Sequence, residues 1–288
     1  MGFNIFNYNL KRKLFSKPHR NKLLIKTIRK FTKIYTPEKW VFIIGCYNSG
    51  TTLLQKLISQ HPDVSSIEEG AFLTDQLITP EELGWPRMWH KVMEDIRIDL
   101  ENNNIDIEKI KKDWSIFLNK NKNVFLEKSI VNSSNMKWFQ SNFNNPHFIF
   151  IVRNGYAVAE GIKRKSAFSR RSLPKKYGNK YPIDICINQW IINNQIIEND
   201  SNEINKIKRI FYEDLCKNPD KVINDLYEYI GLKQTKKEIS DKKWKIQEKY
   251  SRIKNMNSKS INNLSSEEIR KINDKASNLL KFYNYKIL

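Results

Sequence analysis

Short, continuously apolar runs along the chain are separated by stretches in which apolar residues recur at helical spacing. The two clearest runs are residues 40–44 and 148–152, and continuous apolar character is typical of strands buried on both faces of a parallel sheet. Three shorter strand candidates are residues 64–67, 124–126 and 209–212. Strands that alternate with helices predict an α/β fold in which a central parallel β-sheet is flanked by helices.

The helical segments are bounded by residues that commonly begin or end helices. Helices are predicted over 52–60, from Gly155 onward, over 183–197, over 219–230 and over 265–282. Gly231 is expected to end the fourth of these helices, and Ser265 with Glu268 has the spacing of a capping box at the start of the last. Residues 80–120 also have a helical and polar pattern, with tryptophans at positions 85, 89 and 114.

The beginning of the chain is strongly basic. The formal net charge of the 288 residues is +20, and much of the excess lies before residue 40. We therefore predict a basic N-terminal arm over residues 1–38, followed by a single domain over residues 39–288. Apolar residues interleave with these charges as in a basic amphipathic helix, namely Leu23, Leu24, Ile28 and Phe31. A solvated arm and a peripheral contact with an anionic membrane both fit this pattern.

Several classes of protein have no support in the sequence. Cys46, Cys186 and Cys216 are scattered and the histidines do not cluster, so we expect reduced thiols and no metal centre. No stretch approaches the roughly 20 apolar residues of a membrane span, and the first residues lack a secretory signal. The expected location is the cytoplasm, extended to the membrane surface if the basic arm binds there.

A loop rich in glycine and hydroxyl side chains joins the first predicted strand to the first predicted helix. Its sequence over residues 45–52 is GCYNSGTT. Backbone N–H groups in such a loop, together with the positive end of the following helix, bind a tetrahedral anion. Gly45 and Gly50 match the phosphate-binding pattern GxxxxGK[ST], but Thr51 replaces the lysine that contacts the β- and γ-phosphates. The loop therefore favours a smaller anion than a triphosphate, and an ordinary tight turn is the alternative.

Four segments occur in an order that resembles a known family. They are IIGCYNSGTTLLQKLISQHPDV, FLEKS, FIFIVRNGYAVAEG and RIFYEDLCKNPDKVINDLYEYIGL, and they extend from about Trp40 to Leu232. This pattern resembles the superfamily of sulfotransferases that use 3′-phosphoadenosine 5′-phosphosulfate (PAPS), in particular the tyrosylprotein and bacterial-type enzymes. The resemblance implies a P-loop-containing nucleotide-binding fold. It also implies direct, in-line transfer of a sulfuryl group to a hydroxyl or amine of a glycan, tyrosine or small molecule, without a metal.

The resemblance also implies which residues bind the nucleotide. The 5′-phosphosulfate is expected on the loop formed by Gly45, Cys46, Tyr47, Asn48, Ser49, Gly50, Thr51 and Thr52. Arg153 is expected to bind the 3′-phosphate, whereas Gly161 stands where the family has a serine that helps to bind it. Tyr212 matches a tyrosine that contacts the nucleotide, although a tyrosine at the edge of the core fits the sequence equally well. Ser251 and Lys259 are candidates for the contact made by the C-terminal segment.

Catalytic roles follow from the same resemblance. Glu69 is the candidate general base, with Glu68 as its competitor and a pair of exposed loop carboxylates as the alternative. Lys128 is the candidate cation that stabilises the transition state, unless it is a solvated surface lysine. Many members of the family have a basic residue where this chain has the neutral Asn48, so Lys128 is expected to supply more of the positive charge. Tyr47 and the tryptophans at positions 85 and 89 are candidates for an acceptor pocket or for the core.

Two other functions compete with a sulfotransferase. A P-loop kinase is disfavoured because the loop has no lysine and the chain has no acidic metal motif. The other is a catalytically inactive, basic protein that binds the product nucleotide 3′-phosphoadenosine 5′-phosphate (PAP), an anionic glycan or a nucleic acid. No recognised nucleic-acid-binding module is present, so no specific nucleic-acid partner is expected. The sequence makes no prediction of the oligomeric state.

Overall fold

A five-stranded parallel sheet forms the centre of the protein in a computed structural model, which describes residues 14, 16, 22–166, 177–235, 238–246 and 249–288. The strands are β1 (Lys39–Ile44), β2 (Val64–Glu68), β3 (Val124–Lys128), β4 (Pro146–Val152) and β5 (Ile207–Phe211). Their order across the sheet is β2-β3-β1-β4-β5, and every neighbouring pair is parallel. A separate antiparallel pair consists of β6 (Trp244–Ile246) and β7 (Lys249–Ser251). The predicted α/β class is confirmed.

Helices cover both faces of the sheet. In chain order they are α1 (Lys22–Phe31), α2 (Thr51–Ile58), α3 (Met93–Ile96), α4 (Ile107–Ser115), α5 (Met136–Asn142), α6 (Gly155–Ser166), α7 (Ile183–Ser201), α8 (Tyr212–Lys217), α9 (Pro219–Ile230), α10 (Asn257–Ile261) and α11 (Ser266–Phe282). Short 3₁₀ turns occur at Gly70–Leu73, Trp89–Val92 and Ile130–Ser134.

The apolar strands divide their side chains between two cores. Along β1, Trp40 and Phe42 enter one buried cluster, whereas Val41 and Ile43 enter the other on the opposite face of the sheet. Strand β4 alternates in the same way between these two clusters. This alternation explains the continuous apolar runs in the sequence, because a strand covered on both faces has no polar side.

The strand order reverses direction at β1. The chain proceeds from β1 to β2 and β3 on one side of the sheet and then crosses to β4 and β5 on the other. Open α/β sheets bind ligands in the crevice at such a reversal, outside the carboxyl ends of the strands. The crevice between the ends of β1 and β4 is therefore the expected position of a ligand site.

Two helix boundaries form as the sequence predicts. Gly231 follows α9 in the left-handed conformation with φ 74°, as expected for a residue that ends a helix. At the start of α11, Ser265 and Glu268 form both hydrogen bonds of the capping box.

The prediction of helix over residues 80–120 is mostly wrong. Only α3, α4 and one 3₁₀ turn are helical there, and the rest is loop. Pro80 and Pro86 cannot donate backbone hydrogen bonds to a helix. Asp99 accepts bonds from the backbone N–H groups of Glu101 and Asn102 over 2.8 and 2.9 Å. Such local bonds compete with helix formation.

Helix α1 lies within the predicted arm, and one side of it packs on the domain. Ile25 and Ile28 are buried. Arg29 donates to both carboxylate oxygens of Asp113 over 2.5 and 2.7 Å. The opposite side exposes 80% of Leu23 and 72% of Phe31. None of the helices in the described part of the chain has the length and apolar character that crossing a bilayer requires.

Candidate active site

The loop after β1 has a conformation that two of its glycines make accessible. Gly45 and Gly50 have φ angles of 142° and 97°, a region that residues with a Cβ atom rarely adopt. A Cβ on Gly45 would lie 2.5 Å from the carbonyl oxygen of Ile151, and a Cβ on Gly50 would lie 2.6 Å from the ring of Tyr212. Both glycines therefore allow the loop to lie directly against neighbouring elements.

The loop is also held by hydrogen bonds. The backbone N–H of Gly45 donates to Ser133 Oγ over 3.1 Å. The N–H of Ser49 closes a turn onto the carbonyl oxygen of Cys46 over 3.2 Å. Burial raises the pKa of the Cys46 thiol, so this side chain is a packed, uncharged part of the loop rather than a nucleophile. The 3₁₀ turn that contains Ser133 thus helps to fix the loop.

Arg153 follows β4 and meets the loop. Its Nη1 donates to the carbonyl oxygen of Asn48 over 2.6 Å, and its Nε donates to Asn257 Oδ1 over 2.8 Å. The guanidinium carbon lies 4.2 Å from the ring centroid of Tyr212, a cation–π contact. Only 8% of Arg153 is exposed. The structure thus brings together the loop, Arg153 and Tyr212, all of which were predicted to bind the nucleotide.

Several buried polar groups at this junction have no hydrogen-bond partner among the described residues. They are Nη2 of Arg153, the oxygen and nitrogen of the Asn48 side-chain amide, and the hydroxyl of Ser49. An unpaired buried polar group costs about 1–3 kcal/mol, so a cluster of them indicates a ligand that pairs with them. The groups available are mainly donors, and one of them is cationic, which suits an anion.

Gly161 lies on α6 directly against the loop. A Cβ on Gly161 would lie 3.1 Å from both Cβ and Cγ of Asn48. The glycine therefore leaves room for the Asn48 side chain. As the sequence predicts, the hydroxyl of the family's serine is absent here, and the Asn48 side chain lies in the adjacent space.

The C-terminal segment reaches the site through a residue that was not predicted. Tyr212 OH donates to the carbonyl oxygen of Lys254 over 3.1 Å and accepts from the N–H of Met256 over 3.3 Å. Asn257 then contacts Arg153, while Ser251 and Lys259 are both exposed. In a run of Asn, Lys and Ser residues, no sequence signal distinguishes Asn257 from its neighbours.

Glu69 and Lys128 form an ion pair at the ends of β2 and β3. Lys128 Nζ donates to Glu69 Oε1, and the N–H of Glu69 donates to the carbonyl oxygen of Lys128 over 2.8 Å. The side chain of Lys128 is only 4% exposed and that of Glu69 28% exposed. The structure thus places the predicted base beside the predicted cation, and Lys128 is not a solvated surface lysine.

Glu69 is held in an unusual conformation by a buried carboxylate that was not predicted to act here. Its φ is 51°, in the left-handed region. Glu127 accepts hydrogen bonds at Oε1 from the N–H of Gly70, over 2.7 Å, and from the hydroxyl of Ser129, while Asn132 donates to Oε2. Burial raises the pKa of Glu127 to about 7. These bonds fix the turn that follows Glu69.

A pocket of about 230 Å³ opens beside Glu69. It is lined by Tyr47, Glu69, Ala71, Phe72, Thr79, Glu81, Arg87, Ile130 and Val131. The guanidinium of Arg87 lies 5.8 Å from the ring centroid of Tyr47. Burial raises the pKa of Glu81. The lining combines apolar side chains with charged groups, so the pocket suits a molecule that has both an apolar body and polar substituents.

The two tryptophans predicted near an acceptor do not line this pocket. Trp89 is fully buried, and its Nε1 donates to Asn193 Oδ1 over 3.3 Å. Trp85 stacks with Tyr181 at a centroid distance of 6.5 Å. Tyr47 does line the pocket. Within the described ranges, no three His, Cys, Asp or Glu side chains lie together as a metal site would require.

Comparisons with known proteins identify the family. Residues 41–236 match the family described as "Sulfotransferase family". Because the match covers more than half of the chain, the chain belongs to the sulfotransferase family. The predicted family, the predicted fold and the prediction of a sulfotransferase enzyme are thereby confirmed.

Two solved sulfotransferase domains have the same fold. The sulfotransferase domain of the olefin synthase of Synechococcus PCC 7002 is 16% identical, with a TM-score of 0.54 over 88% of this chain and 97% of that one. The sulfotransferase domain from the curacin biosynthetic pathway is 16% identical, with a TM-score of 0.52 over 89% and 100%. Mouse sulfotransferase SULT7A1, complexed with PAP, is 15% identical, with a TM-score of 0.47 over 91% and 94%. No curated protein sequence matches the chain.

Proposed function

We propose that this sulfotransferase takes its sulfuryl group from PAPS and transfers it to a hydroxyl or amine of an acceptor in the pocket beside Glu69. The observation that supports this most strongly is the contact between Arg153 and Asn48. It joins the anion-binding loop to a buried guanidinium. A nucleotide with charged groups at both the 5′ and the 3′ position of its ribose can therefore contact the loop and Arg153 at once.

The 5′-phosphosulfate would bind to the loop over residues 45–52. The N–H groups at the start of α2 and the positive end of that helix favour an anion there. The unpaired hydroxyl of Ser49 and the unpaired amide of Asn48 are further donors at the same place. The absence of the P-loop lysine disfavours a triphosphate.

The 3′-phosphate would bind to Arg153. Its Nη1 and Nε are used by Asn48 and Asn257, and its buried Nη2 has no partner among the described residues. A phosphate oxygen would supply that partner as a charge-assisted hydrogen bond. Tyr212, which packs on both Gly50 and Arg153, would lie between the two anion sites.

The reaction is a direct displacement at sulfur. Glu69 accepts the proton of the acceptor hydroxyl, and the acceptor oxygen forms a bond to sulfur. The bond between sulfur and the bridging oxygen of the 5′-phosphate breaks, and that oxygen keeps the electron pair, which gives PAP and a sulfate ester. Lys128 stabilises the charge that develops on the bridging oxygen.

The ion pair between Glu69 and Lys128 would keep Glu69 from acting as a base until the sulfuryl donor binds. While Lys128 donates to Glu69, the carboxylate is neutralised. A bound phosphosulfate competes for the ammonium group and leaves Glu69 available to accept a proton. The pocket beside Glu69 favours an active enzyme over an inactive PAP-binding protein, since an acceptor has a place to bind.

The experiment is a search for turnover with purified enzyme, PAPS and a panel of hydroxyl and amine acceptors of about one or two rings. We expect PAP to form together with a sulfated acceptor in equal amounts. Tight binding of PAP without sulfation of any acceptor, extended to glycans and tyrosine peptides, would favour the inactive binding protein instead.

A further inference from the structure

Lys165 is a candidate for a further donor-binding residue because of its place on α6. Gly161 is the point where this helix touches the loop, since a Cβ there would lie 3.1 Å from Asn48. Lys165 follows four residues later, and residues four apart lie on the same side of a helix, one turn of about 5.4 Å along its axis. The side chain of Lys165 therefore starts from the side of α6 that faces the loop.

Its two basic neighbours on the helix are neutralised, whereas Lys165 is not. Lys163 pairs with Glu268 over 2.6 Å, and Arg164 pairs with Glu160 over 2.9 Å. Among the described residues Lys165 forms no ion pair with a carboxylate, and the charges that act on it most strongly are all cations. Residues 166–176, which follow it directly, contain no Asp or Glu in their sequence.

The surroundings of Lys165 are those of an anion site. Burial lowers the pKa of its ammonium group to about 7, and the charges of Arg87, Arg164, Arg153 and Lys128 lower it further. Of these cations Arg87 has the largest effect, and Arg87 lines the acceptor pocket. Arg164 and Lys128 have carboxylate partners, but their charges still lower the pKa of Lys165, and an anion bound nearby would offset this repulsion.

The loop itself has no cation at this point. Asn48 is neutral, and Lys128 is engaged with Glu69. Among the basic residues of α6 next to the loop, Lys165 is therefore the one whose ammonium group can pair with an anion bound at the loop without first leaving a carboxylate.

We propose that Lys165 donates to the 5′ end of the donor nucleotide and supplies the positive charge that Asn48 does not. This inference rests on the proposed use of PAPS. Helix α6 would then serve both phosphate positions of the nucleotide. It begins beside Arg153, which would bind the 3′-phosphate, and its residue Lys165 would bind the 5′ group. The anion would convert a largely neutral amine into an ammonium ion above pH 7.

The test is calorimetric titration with PAP at pH 6.5 and pH 8.5. Three variants are compared with the wild type: K165M removes the charge, K165R keeps a charge at both pH values, and K275M is a matched control on the exposed side of α11. We expect the affinity of the wild type, relative to K165R, to fall about tenfold or more between pH 6.5 and pH 8.5. K165M should bind PAP about tenfold or more weakly at pH 6.5, and K275M should match the wild type.

Two further measurements make the result specific. At pH 8.5, titration in buffers of different ionisation enthalpy should show the wild type taking up close to one proton per PAP, and K165R and K165M taking up almost none. Adenosine 3′-monophosphate, which lacks a 5′ phosphate, should bind K165M and the wild type alike. K165M and wild type that bind PAP equally at both pH values would overturn the role of Lys165. A wild type that does not bind PAP would instead overturn the proposed function.

Discussion

Arg153 donates a hydrogen bond through Nη1 to the carbonyl oxygen of Asn48, over 2.6 Å. This bond joins the end of β4 to the loop after β1, which are neighbouring strands of the sheet. It lies where the strand order reverses, the usual ligand crevice of an open α/β sheet. The same contact leaves Nη2 of Arg153 buried and unpaired among the described residues. A phosphate bound at this junction would pair with that nitrogen.

Removing the guanidinium should weaken the 3′-phosphate contact selectively. R153A should lower the affinity for PAP about 10- to 100-fold, since a hydrogen bond to a charged group contributes about 1.5–3 kcal/mol. Affinity for adenosine 5′-monophosphate, which has no 3′ phosphate, should fall much less. The measurement is the ratio of the two affinities by calorimetry, with R153K as the variant that keeps the charge. An unchanged ratio in R153A would show that Arg153 does not bind the 3′-phosphate.

Replacing the carboxylate of Glu69 should stop the chemistry and spare nucleotide binding. E69Q should reduce kcat about 10²- to 10⁴-fold, the usual contribution of a general base. Its affinity for PAP should stay within about twofold of the wild type. The matched control is E68Q, one residue away on the edge strand, which should retain turnover. Loss of turnover in E68Q with activity kept in E69Q would assign the base to the other carboxylate.

The effect of a substitution at Gly161 on PAP affinity should depend on the side chain at position 48. In G161A the new Cβ would lie 3.1 Å from Asn48, so the amide must move and PAP affinity should fall several-fold. In an N48G background, which removes both the Cβ and the Cγ of residue 48, the same change at position 161 should cost much less. A double-mutant cycle on PAP affinity measures this, and a coupling of about 0.5–3 kcal/mol is typical of contacting residues. Additive effects would mean that the two positions act separately.

Glu127 should make stability depend on pH. Its folded pKa of about 7 lies above the ordinary value of 4.5, so the folded state favours the protonated form. Its contribution to stability is complete below pH 4.5 and is lost as the pH rises towards 7, by at most about 1.4 kcal/mol per pH unit. The difference in unfolding free energy between wild type and E127Q should therefore shift in favour of E127Q from pH 4.5 to pH 7. Denaturant titrations at several pH values measure it, and a constant difference would contradict the raised pKa.

Glu127 should also position Glu69. Its bond to the N–H of Gly70 holds the turn after the base. E127Q keeps the size of the side chain but replaces one accepting oxygen by an NH₂ group that can only donate, so we expect a lower kcat with little change in PAP affinity. E127D, which keeps the carboxyl group on a shorter stem, tests whether the position of the oxygens matters. A fall in PAP affinity equal to the fall in kcat would indicate a general structural defect.

The sequence was sufficient for the elements whose signals are local. The apolar runs of β1 and β4 are continuous because both faces of these strands are covered. The end of α9 at Gly231 and the start of α11 at Ser265 depend on backbone conformation and short-range hydrogen bonds. The glycines of the loop, Gly45 and Gly50, could be recognised for the same reason.

The rest of the site depends on contacts between distant parts of the chain. Asn257 meets Arg153 across 104 positions in the sequence. Glu127 lies 57 positions from Gly70, and its place is set by the pairing of β2 with β3. The loops within residues 80–120 were wrongly predicted as helix because their polar pattern resembles one. No local pattern could have indicated these partners.

The central claim is that one nucleotide, charged at both its 5′ and 3′ positions, spans the loop and Arg153. The most direct measurement is calorimetry with PAP, adenosine 5′-monophosphate, adenosine 3′-monophosphate and ATP on the wild-type protein. PAP is expected to bind more tightly than each monophosphate by about tenfold or more, and more tightly than ATP. Binding of PAP no tighter than that of ATP or of either monophosphate would contradict the account.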